Sequence, residues 1–107
     1  MAIQNNRLLL SLEKDMRDIN RAVINPEFPS LSIEDLRPLI HLVARARADY
    51  LRESFNIASE FPSSLPEADR IQTLREHRLR YEELVHASKA LETAIERLYL
   101  DVADNSN

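Results

Sequence analysis

Apolar residues recur at helical spacing in three stretches of this chain, separated by two short segments that each hold a pair of prolines, Pro26 with Pro29 and Pro62 with Pro66. In the first stretch Leu9, Leu12, Met16, Ile19 and Val23 step alternately by three and four, the seam of an amphipathic helix expected over about 6–24. The opposite face carries Glu13, Lys14, Arg17, Asp18 and Arg21, with Glu13 and Arg17 in the favourable i,i+4 order. Asn25-Pro26 ends the helix, because a residue before proline is pushed out of the α region.

The second stretch predicts a helix over 33–60 that begins at a variant capping box, Ser32 with Asp35. Pro38 lies several residues past this cap and deletes a backbone hydrogen bond, so a kink is expected there. Leu36, Leu39, Ile40, Val43, Ala46, Tyr50, Ile57 and Phe61 form its apolar face, and Leu42, Leu51, Phe55 and Ala58 widen that face enough for two neighbours. A second capping box, Ser64-Leu65-Pro66-Glu67, opens the third helix. No breaker follows before the polar tail, so this helix is expected over 65–102, with a heptad-like seam that Arg78 interrupts and disorder over 104–107.

Short connections imply antiparallel neighbours. The expected fold is therefore all-α, a single three-helix, up-down-up bundle over 1–107 with a long, coiled-coil-like third helix. The connections resemble each other, Glu27-Phe28-Pro29-Ser30-Leu31 and Glu60-Phe61-Pro62-Ser63-Ser64-Leu65. Two helix breaks made by the same chemistry explain this more simply than a duplication, and Phe28 and Phe61 are expected to plug the ends of the core. On these lengths the third helix outruns the second. Leu91, Ile95, Leu98, Tyr99 and Val102 then form an overhanging apolar stripe, which predicts an interface and a homodimer.

Composition narrows the chemistry. The chain contains no glycine, which excludes phosphate-cradling P-loop and dinucleotide fingerprints, and no cysteine, which excludes disulfides, thiolate metal sites and a cysteine nucleophile. The only early apolar run, Leu8-Leu9-Leu10, is too short for a signal or a membrane span, so the chain reads as unprocessed, soluble and cytoplasmic. Net charge is −4, against general nucleic-acid binding. The charge is unevenly spread: residues 1–36 carry 4 basic and 6 acidic side chains, residues 37–80 carry 8 and 6, and residues 81–107 carry 2 and 6.

Two constellations carry candidate chemistry. Glu83-Leu84-Val85-His86 has the Glu-x-x-His spacing of carboxylate-bridged metal bundles, and with Glu82 and with His41 from the second helix it makes a possible ligand set at a dimer interface. Arg45, Arg47, Arg52, Arg75, Arg78 and Arg80 form a band, with His77 alongside, suited to a polyanion or nucleic acid. Interleaved acids offer i,i+4 partners, Arg45 with Asp49, Glu76 with Arg80 and Arg78 with Glu82, so a bridged surface is the commoner outcome. Serines sit at caps and linkers, and no serine–histidine–acid arrangement arises. The reading that follows is a non-enzymatic, adaptor- or chaperone-like module without a cofactor, which acts as a homo-oligomer by protein–protein interaction. The alternatives are the metal bundle and the polyanion binder.

Overall fold

A computed structural model describes residues 2–104, with side chains from Asn5 onward. Three helices account for most of it: α1 (Ala2–Ile24), α2 (Ile33–Glu60) and α3 (Ala68–Glu96). A 3₁₀ turn, Asn25–Glu27, follows α1. Among the described residues there is no strand, only one isolated parallel bridge between Ser32 and Ala103, and the fold is all-α. No helix among them is long and apolar enough to cross a membrane. The described residues divide into two compact units, one of residues 2–35 with 91–104 and the other of residues 36–90.

The first unit is built around the end of α3, where the structure departs most from expectation. The helix stops at Glu96, six residues before the expected 102. The stop is a Schellman motif: the Tyr99 amide donates to the Ala94 carbonyl at 2.8 Å and the Leu98 amide to the Ile95 carbonyl at 3.2 Å. The position that this motif normally gives to glycine is held by Leu98, with φ of 63°. The following residues run back into a small core. Ala94, Tyr99 and Leu100 are buried, and Ile24, Leu31, Leu91 and Val102 pack against them. Ala103 then joins the 31–33 segment through the Ala103 amide to the Leu31 carbonyl and the Ile33 amide to the Ala103 carbonyl. Arg21 fastens the end of α1 to this turn: its guanidinium donates to both carboxylate oxygens of Asp101, at 3.1 and 2.6 Å, and to the Leu98 carbonyl at 2.9 Å. These bonds hold the Asp101 carboxyl below its ordinary range. Phe28 does not plug this core; it is 46% exposed. Asn105–Asn107, most of the expected disordered tail, lie outside the described residues.

At the start of α2 the reach-back half of the capping box forms. The Asp35 carboxylate accepts from the Ser32 amide at 2.8 Å and from the Ser32 hydroxyl at 3.0 Å. Helix α2 then continues through Pro38 as one element. The division between the units, at 35/36, falls within the turn that Pro38 weakens by lacking an amide hydrogen.

The second unit joins α2 and α3 in a hairpin. Arg70 ties its turn together, donating to Glu53 at 2.6 Å and to Glu60 at 2.5 Å. This bonding holds the Glu60 carboxyl below its ordinary range and raises the Arg70 guanidinium. Farther from the turn, Tyr50 meets Tyr81 with ring centroids 6.2 Å apart. Helix α3 begins at Ala68, later than the expected 65, because Leu65 precedes a proline and is held out of the α region. Glu67 takes the capping place, its carbonyl accepting from the Arg70 and Ile71 amides.

Candidate protein interface

Helix α1 is an amphipathic helix without cover. Every side chain from Asn5 to Ile19 is exposed. Its large apolar residues range from 43% exposure at Met16 to 67% at Leu8, with Leu9, Leu10, Leu12, Ile19 and Val23 between them. Its last turn is held through Arg21 and Ile24, and farther back Glu13, Met16 and Arg17 line a hollow with Arg97 and Tyr99. On the polar face Lys14 and Asp18 form an ion pair at 2.9 Å, which lowers the Asp18 carboxyl and raises the Lys14 amine. The expected Glu13–Arg17 pair does not form, and among the described residues neither side chain holds an ion pair.

The residues expected to form an overhanging stripe serve their own chain instead. Tyr99 is buried, Leu91 and Val102 pack against the core of the first unit, and Ile95 is half-buried. Leu98 alone stays well exposed, at 57%. The stripe required a continuous helix to 102, and the Schellman stop turns the chain before it can form.

A second apolar surface lies on the α2–α3 hairpin. Leu42 and Ala46 from α2 and Leu79 and Leu84 from α3 line an open groove of about 640 Å³. Arg45 and Asp49 rim it on α2, and His77, Arg80 and Glu83 on α3. The expected arginine band is thus divided among different tasks. Arg45 and Arg80 stand at the groove without ion pairs among the described residues. Arg47 lies over the Tyr81 ring, 5.3 Å from its centroid, and donates to the Tyr81 hydroxyl at 3.2 Å. Arg78 bridges to Glu82 at 3.6 Å, as its spacing predicts, and lines a smaller hollow with Arg75 and Tyr50. Arg52 is exposed.

His41, Glu82, Glu83 and His86 are all exposed, and Glu82 is engaged by Arg78. Among the described residues no group of three or more histidines and acids is arranged to hold a metal ion. Two structural arginines escaped the sequence reading. Arg21 finds Asp101 across eighty residues, which no local spacing signals. Arg70 meets Glu53 and Glu60, which share a face of α2 at a spacing of seven, a pattern visible only once the hairpin is drawn. No family model, curated protein or solved structure matches the chain.

Proposed function

We propose that this chain is a non-catalytic protein–protein interaction module, adaptor- or chaperone-like, that acts as a homo-oligomer, most simply a two-fold dimer. The observation that supports it is the uncovered seam of α1, Leu9, Leu12, Met16, Ile19 and Val23. A helix in water draws most of its stability from packing its apolar face, and of this helix only Ile24 packs on the buried core. Burying what these five side chains leave exposed, 43–66% of each, is worth roughly 4–8 kcal/mol per seam. Two seams in a symmetric pair then reach the scale of the ~4–15 kcal/mol that association costs in lost freedom. In this reading α2 and α3 form an antiparallel, coiled-coil-like hairpin, and the expected up-down-up arrangement is completed on association.

The test is a double variant, Leu12→Glu with Ile19→Glu, compared with the unaltered chain by light scattering. Both sites are exposed in the single chain, so the variant keeps the fold of the two units and loses the oligomer. An unchanged mass for the variant refutes the assignment of the interface to α1.

A further inference from the structure

The hairpin groove and the α1 seam match each other in length, polarity and charge. We infer that the α1 seam of one copy lies in the α2–α3 groove of a second copy, reciprocally, in an isologous dimer. This rests on the homo-oligomeric reading above and specifies its contact.

Length comes first. The groove is lined from Leu42 to Asp49 on one helix and from His77 to Leu84 on the other, about 10 Å of each at 1.5 Å per residue. Leu12, Met16 and Ile19 span the same distance on α1, with Met16 at the centre as Ala46 is at the centre of the groove. Ala46 is small, and a small residue in the floor admits a large one from the facing helix.

Charge selects the occupant. At 100° per residue Glu13 and Asp15 stand on opposite flanks of the α1 seam, while Arg45 and Arg80 stand on opposite walls of the groove. Arg17, one turn after Glu13, lies farther round on the polar face and does not flank the seam. Among the described residues Glu13, Asp15, Arg45 and Arg80 make no ion pair within their own chain. A small amphipathic anion fits less well, because Asp49 and Glu83 oppose the two arginines on the rim.

The absence of cysteine makes the contact directly testable. Separate single-cysteine chains are prepared with Leu12→Cys, Met16→Cys or Ile19→Cys, and others with Leu42→Cys or Ala46→Cys. An α1 variant is mixed with a groove variant, oxidised mildly and run without reductant. A disulfide needs Cβ atoms about 4 Å apart, so several positions cover a shift in register. The expected result is a mixed disulfide between an α1 chain and a groove chain, exceeding the α1-to-α1 product. Disulfides only between α1 cysteines, or no mixed product in any combination at a mass above one chain, overturn the contact and leave the oligomer standing. A single-chain mass for the unaltered protein overturns both.

Discussion

Leu98 shows at one residue what the absence of glycine does to this chain. A Cβ in the left-handed region costs about 1–2 kcal/mol, and here the cost is met so that α3 can stop and Tyr99 and Leu100 can turn into the core. Leu98→Gly is therefore expected to stabilise the protein by about 0.5–1 kcal/mol in urea unfolding, while Leu98→Ala gives no such gain. Leu100, only 4% exposed, is the counterpart: Leu100→Ala is expected to cost about 2–5 kcal/mol in the same assay. A glycine-free sequence argues for a helix that runs on, and the end at 96 was not legible for that reason. The motif that stops it is defined by backbone bonds, and the usual residue signal is missing.

At the scale of elements, the three helices were legible because each writes its period and its breakers into the sequence. The Pro26 and Pro62 breaks fall where α1 and α2 end, and Ser32 with Asp35 marks the start of α2. The return of the 98–104 segment onto the 25–33 turn was not legible. It depends on Arg21–Asp101 and on the Ala103 backbone pairing, contacts between segments some seventy to eighty residues apart. Those ion pairs carry a pH signature. Asp101 is held below its ordinary range by Arg21 and Glu60 by Arg70, so each contributes stability above the unfolded carboxyl range. Both contributions are lost as pH falls through the depressed folded values, and stability is expected to decline below about pH 4. In Arg21→Ala and Arg70→Ala chains the acid side of the stability profile should flatten. An acid limb as steep as that of the unaltered chain excludes these pairs as its source.

At the scale of the whole molecule, the buried inventory is small for the apolar content. Among the described residues Val43, Ala94, Tyr99 and Leu100 are the buried hydrophobics, and α1 exposes its entire seam. The seam itself is legible from the spacing of Leu9, Leu12, Met16, Ile19 and Val23. That α1 lacks cover for it could not be read, because periodicity reports that a face must be buried and says nothing of what buries it. The arginines of the expected band are divided for a similar reason, since spacing places side chains on a face and packing decides which are taken. On the proposed function, the missing cover comes from a second copy of the chain. Sedimentation equilibrium of the unaltered protein over about 1–100 μM tests it most directly. The expected result is a mass that rises with concentration to twice the 12.4 kDa of one chain. A mass of one chain throughout contradicts it.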